Sequence, residues 1–128
     1  MNRRKRMQFW GRNKDDDTLV VQVEQGLKTA TVCKADEYEL SEGDYDDGGW
    51  KAGDLVEVYD LRENLRCLIE ITEVYRVTWS NIPEKLWKGE CNVNENEFKD
   101  DHISCWPEYS IDDHFEMVAT HFKIIENY

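Results

Sequence analysis

No apolar stretch in this 128-residue chain approaches the ~20 residues that a membrane-spanning helix needs. The basic start Arg3-Arg4-Lys5-Arg6 leads into polar sequence, so the apolar core of a secretory leader is missing as well. The expectation is a soluble, cytoplasmic protein with no membrane partner. Cysteine is sparse and scattered: Cys33, Cys67, Cys91 and Cys105 contain no pair within ten residues of one another. That spacing excludes a CxxC zinc knuckle, and a chain of this length needs no disulfide frame. Reduced, mostly buried thiols follow. His102 and Cys105, three apart, are the nearest approach to a metal-ligand pair, and no cofactor is expected. Histidine is scarce too, and His102, His114 and His121 show no pairing of the kind a ribonuclease uses as acid and base. There is no internal repeat and no low-complexity segment.

Positive charge is the other shortage. Sixteen Lys and Arg face 28 Asp and Glu, for a net charge of -12. Four of the basic residues sit at positions 3–6, so the rest of the chain is more acidic still. Such a body repels a polyanion unless it holds a local basic groove, and only Arg3 to Arg6, Arg12, Lys14 and Lys28 cluster near one end. A small-molecule substrate is favoured over long RNA on this ground.

The hydrophobic fraction of 40%, with five Trp, is enough for one core, and the length fits one domain. Residues 1–8 read as a flexible basic tail and 9–128 as a single domain. Asp15-Asp16-Asp17 offers helix N-caps, and Leu19, Val20, Val23 and Leu27 recur at helical spacing. Gly26 is placed to stop this helix in the left-handed conformation. Thr29 to Cys33 reads as a strand. Residues 36–49 form an acidic loop. Trp50-Lys51-Ala52-Gly53-Asp54 turns into the strand Leu55–Tyr59, and Arg66 to Tyr75 is the longest strand, with Val77–Trp79 continuing it after a bulge. Ser80 caps a second helix carrying Ile82, Leu86 and Trp87, ended by Gly89. Residues 91–109 show no regular pattern. Ser110-Ile111-Asp112-Asp113 starts a third helix through Val118, and His121–Ile125 closes the chain as a strand. Short strands with two or three short helices give an α+β fold: a small barrel with helices at its rim.

Two glycine-ended helices therefore deliver Lys28, Thr31 and Glu90 onto adjoining turns. Lys28 and Thr31 are the types for a base or electrophile beside a hydroxyl nucleophile. Positions 28 and 31 face opposite sides of a regular strand, so they converge only if the backbone is still irregular at Lys28. Each residue also has a plainer reading: a Lys past a helix C-terminus partners the helix dipole, a strand Thr is ordinary, and Glu90 is a turn residue. Glu70 alternates with buried positions on its strand, and either enters the same pocket beside Lys28 or lies on a wet face. Trp10, Trp50 and Trp106 sit in loop-like segments and are candidates to stack on a base, whereas Trp87 reads as core.

Phe9-Trp10-Gly11, Gly26-Leu27-Lys28-Thr29-Ala30-Thr31, Lys51-Ala52-Gly53-Asp54, Leu68 to Val74, Gly89-Glu90 and Val118 to Ile125 together resemble the ASCH domain family in order and approximate spacing. The resemblance spans roughly residues 9 to 126. It implies a PUA-like β-barrel and a role linked to RNA or nucleosides. Around the helix ends the chain is similar to small bacterial members that are amidohydrolases acting on N4-acetylcytidine. By that resemblance Lys28, Thr31 and Glu90 are catalytic and the partner is a nucleoside or RNA-derived small substrate, with Glu70, Trp10, Trp50 and Trp106 the candidates to bind it. Two alternatives stay open: a non-catalytic RNA-binding module and a ribonuclease. For the hydrolase, either Lys28 as a partly desolvated neutral amine takes the Thr31 proton, or Lys28 stabilises the oxyanion while Glu90 activates Thr31 or a water. The chain departs from the smallest members in its longer acidic loop. It departs from larger members in carrying only Trp106 and His114-Phe115 before the last strand.

Overall fold

A computed structural model describes residues 5–35, 51–107 and 109–128. In chain order the elements are β1 (Lys5–Gln8), α1 (Thr18–Glu24), β2 (Ala30–Lys34), β3 (Leu55–Tyr59), β4 (Leu65–Thr78), α2 (Glu84–Gly89), α3 (Glu95–Cys105) and β5 (Glu116–Asn127). The strands form one mixed sheet in the order β1-β3-β4-β5-β2. β1 runs parallel to β3, and every other pairing is antiparallel. The result is a half-barrel with three helices, the small α+β class expected for a PUA-like fold.

The long strands β4 and β5 curve the sheet. Their register shifts at Leu68/Ile69 and again at Ile71/Glu73. Each bulge adds a residue to one strand and increases the local twist, which bends the ladder around a core. The second bulge leaves Thr72 and Glu73 exposed between two buried stretches of β4. Ile69 and Ile71 are buried before it and Val77 after it, whereas Glu73 is exposed. Two apolar clusters result. Met7, Val20, Val23, Val56, Val58, Ile69, Ile71 and Phe122 pack under α1. Ala30, Val77, Trp79, Ile82, Leu86, Phe98, Met117 and Ala119 pack under α2 and α3. A single guanidinium ties α1 to β4: Arg66 makes two bonds to Glu24, at 2.8 and 3.1 Å, and reaches Asp17 and Asp60.

Several sequence expectations need correction. Lys5–Gln8 is not tail but strand, because Lys5 and Met7 turn inward and Lys5 Nζ meets Asp54 at 2.7 Å. Asn94, not an irregular chain, opens an eleven-residue helix by accepting the Glu97 N–H at 2.8 Å. Residues 110–115 form turns instead of a third helix, and residues 116–118 belong to β5, where pairing to both β4 and β2 overrides local helical spacing. The β4 strand runs to Thr78, with its second bulge at Ile71/Glu73 and regular pairing from there on. Pro83, not Ser80, occupies the N-cap of α2. The acidic loop at 36–49 lies outside the described residues.

Phe98 is fully buried where α3 meets the sheet, its ring 6.4 Å from that of Trp79. Phe98→Ala is expected to lower unfolding free energy by about 3–5 kcal/mol in urea titration. A loss under about 1 kcal/mol would mean that α3 is not docked as described.

Candidate functional site

Two helices end in the same way. After α1, Gly26 takes the left-handed conformation (φ 76°), its N–H bonds Val23 O, and the Leu27 N–H bonds Gln22 O. After α2, the left-handed residue is Cys91 (φ 66°), with the Cys91 N–H on Lys88 O and the Asn92 N–H on Trp87 O. Both are Schellman caps, which satisfy the last carbonyls and swing the chain off the helix axis. The helix does end at Gly89, as expected from the sequence, but Gly89 is not the left-handed residue. It is a packing residue: a Cβ there would lie 2.7 Å from the Ala30 Cβ, and the Gly89 carbonyl accepts the Thr29 N–H at 2.8 Å. The bare glycine lets the end of α2 press against the start of β2.

That contact brings Lys28 and Glu90 together. The backbone is irregular from Leu27 to Thr29, as convergence of Lys28 and Thr31 requires, and β2 begins only at Ala30. Lys28 Nζ lies 3.1 Å from Glu90 Oε1, with side-chain exposures of 2% and 9%. The ammonium also stands 5.5 Å from the Phe9 ring centroid. An ion pair this deep persists only because each charge answers the other, since isolated burial of either is prohibitive.

A third ionisable group completes the cluster. His102, on α3, places Nε2 3.3 Å from Glu90 Oε2 and Nδ1 2.7 Å from the Phe98 carbonyl. Its ring stacks on Phe98 at 4.1 Å and leans on Trp106 at 5.2 Å. The Nε2 contact is an ion-pair distance rather than an aligned hydrogen bond, and among the described residues Glu90 Oε2 has no hydrogen-bond partner. Burial alone would raise the Glu90 carboxyl, but the Lys28 charge and His102 together hold it below the usual carboxylate range. Burial alone would lower the His102 imidazole, yet Glu90 and the Phe98 carbonyl raise it above its ordinary value.

Over this cluster opens a pocket of about 550 Å³, in the range that takes a small ligand. Lys28, Thr31, Glu90, Trp10 and Trp106 all line it, so five of the seven sequence candidates meet there. Trp10 is 58% exposed, an unburied indole at a pocket wall. Glu70 does not join them. It is paired with Lys123 at 3.6 Å on the sheet surface, opposite Leu55, and the partner of Lys28 is Glu90 instead. Trp50 lies outside the described residues.

Sequence reasoning missed His102 as a member of the site, and with it Asn92. Asn92 binds Glu97 and Asp101 through Nδ2, while its buried Oδ1 has no hydrogen-bond partner among the described residues. The signal for α3 was present in Asn94-x-x-Glu97 as a cap, followed by Phe98, His102 and Trp106 at fourfold spacing. Among the described residues no group of three or more His, Cys, Asp or Glu is placed to hold a metal ion. No helix among them is long and apolar enough to cross a membrane. The basic residues expected to form a groove are mostly committed: Lys5, Arg6, Arg12 and Lys28 each meet a carboxylate.

The ASCH domain family matches residues 5–126. The chain belongs to that family. Two solved structures carry the same fold. Protein EF3133 from Enterococcus faecalis V583 superposes with a TM-score of 0.78 at 18% identity, over 100% of this chain and 80% of that one. The ASCH domain from Lactobacillus crispatus JV V101 gives 0.77 at 16% identity, over 97% and 80%. No curated protein matches the sequence. ASCH domains share the PUA-like fold and are RNA-associated.

Two predictions follow from the geometry. Replacing Cys91 by Gly removes a side chain from a left-handed cap and should stabilise the fold by about 1 kcal/mol in thermal unfolding; a destabilised variant would show that the thiol packs favourably enough to outweigh the strain. The second concerns pH. The depressed Glu90 stabilises fully above its unfolded value and loses this as pH falls through its folded one. The raised His102 stabilises fully below its unfolded value and loses this as pH rises through its folded one. The stability gap between the natural chain and Glu90→Gln should therefore be widest between about pH 4.5 and 6.5. A gap that does not vary with pH would contradict the coupling.

Proposed function

We propose that this chain is an amidohydrolase that removes an acyl group from a modified cytosine nucleoside such as N4-acetylcytidine. The observation that carries the reading is the meeting of Lys28, Thr31 and Glu90 in the lining of one pocket. Hydrolysing an N-acyl amine needs a nucleophile, a proton acceptor and a group facing the oxyanion. The Thr31 hydroxyl is the nucleophile. It adds to the acyl carbon, its proton passes to the Lys28–Glu90 pair, and the oxyanion develops toward the Lys28 side. Collapse breaks the bond to the exocyclic nitrogen, which leaves as the amine after taking a proton. Water then cleaves the Thr31 ester and releases the acid.

The pocket chemistry favours an uncharged ligand with a planar base. Trp10 and Trp106 offer indole surfaces for stacking, and Asn92 Oδ1 has spare acceptor capacity for an N–H group. Asp101 and Glu90 in the same lining disfavour a phosphate. The RNA-binding alternative draws on the family's association with RNA. Against it stands the pairing of most of the basic residues near this end with carboxylates.

Purified protein incubated with N4-acetylcytidine should release cytidine, followed by chromatography. Thr31→Ala and Lys28→Ala should each lower kcat/KM by at least about a hundredfold, with Thr31→Ser retaining part of the rate. Full activity in Thr31→Ala would replace the hydroxyl nucleophile by a water. No turnover, together with RNA affinity that falls steeply as salt rises, would move the function to the binding module.

A further inference from the structure

The hydrolytic reading uses Lys28, Thr31 and Glu90 and leaves His102 unassigned. Its surroundings are unusual for a histidine that merely fills space. Both ring nitrogens face acceptors: Nδ1 meets the Phe98 carbonyl at 2.7 Å, and Nε2 meets Glu90 Oε2 at 3.3 Å. A neutral imidazole carries one N–H and one lone pair. Either neutral tautomer would therefore press a lone pair against an oxygen, at the carbonyl or at the carboxylate. The imidazolium alone combines an N–H for the carbonyl with a positive charge at ion-pair distance from the carboxylate. The ring cannot turn away to escape this, because Phe98 stacks on it at 4.1 Å and Trp106 leans on it at 5.2 Å.

The charged and titratable groups facing His102 from other elements are Glu90 at the end of α2 and Lys28 before β2. Cys91 adjoins Glu90, and Asp101 and Cys105 neighbour His102 on its own helix. Glu90 is the group in contact. Its two oxygens are thus divided, one to Lys28 and one to His102. With Lys28 alone the carboxylate would be held at one point and free to rotate about it. With His102 as well it is held at both oxygens, from two different parts of the fold.

We propose that His102 is a positioning residue of this site, an imidazolium on α3 that keeps Glu90 ionised and fixed in orientation toward Lys28. Its role in turnover rests on the hydrolase reading; its action on Glu90 does not. Orientation matters because a displacement of about 1 Å at a reacting group can cost about a hundredfold in rate. The dependence on a proton adds a consequence: the site is complete only while His102 is charged, so its competence declines on the alkaline side as that proton leaves.

The test uses nuclear magnetic resonance on the natural chain, His102→Gln and Glu90→Gln. In the natural chain the His102 ring should titrate above the ordinary imidazole value of about 6.5, with both nitrogens protonated at pH 6. In Glu90→Gln the ring should titrate at or below that value. In His102→Gln the Glu90 carboxyl carbon should titrate at higher pH than in the natural chain. With N4-acetylcytidine as substrate, kcat/KM of His102→Gln should fall at least about tenfold at pH 6, and the alkaline loss that follows the His102 titration should vanish. A His102 ring singly protonated at pH 6, or unmoved by Glu90→Gln, overturns the proposal. So does a His102→Gln protein with the natural rate and pH profile. If no protein turns over the substrate, the hydrolase reading fails alone, and the two titrations still decide the action of His102 on Glu90. If His102→Gln does not fold, the natural chain and Glu90→Gln decide it.

Discussion

Everything at this site depends on one buried ion pair, Lys28–Glu90, and on the backbone that forces it together. Neither charge is stable alone at that depth, and neither is brought there by a long element. Both sit beside Schellman caps, where α1 and α2 end, and the end of α2 presses against the start of β2 because Gly89 has no side chain to hold them apart. The charge pair is therefore a product of helix termination, a local property, and of one close backbone contact, a tertiary one. The half-barrel supplies the wall, with Thr31 at the start of β2. Helix α3 supplies the third member, His102, and the aromatic stack that locks it.

Charge is distributed to the same end. The body of the chain is acidic, yet its basic residues are placed where they cross-link elements. Arg66 ties α1 to β4 through Glu24, Asp17 and Asp60, and Lys5 fastens β1 beside Asp54. Burial pushes the Asp60 carboxyl up, but hydrogen bonds from Asn64, Arg62 and Arg66 bring it down to about 2. These bonds hold the frame that aims α1 at the pocket. They also leave little free positive charge for a polyanion among the residues described near that end.

What could be read from the sequence was what local chemistry decides. The stop at Gly26, the irregular step at Lys28, the turn at Gly53 and the strands Leu55–Tyr59 and β4 follow from glycine conformation and from alternation. The segments that could not be read owe their state to distant partners. The short strand Lys5–Gln8 is basic and four residues long, and its order comes from distant partners: the parallel ladder to β3, the burial of Met7, and the Lys5–Asp54 and Arg6–Glu63 pairs. Residues 116–118 have helical spacing, but two neighbouring strands claim their hydrogen bonds. Helix α3 is so polar that only Phe98, His102 and Trp106 mark its inner face, and overlooking that stripe hid the histidine of the site. Glu70 was misplaced for a related reason: alternation says which residues share a face, not which face holds the pocket.

The most direct measurement is a crystal structure of Thr31→Ala soaked with N4-acetylcytidine. The account predicts the base against Trp10 or Trp106, with the acyl carbon about 3–3.5 Å from the place of the missing hydroxyl and the Lys28–Glu90 pair beneath it. A nucleoside bound away from this pocket, or none bound at saturating concentration, would contradict the account.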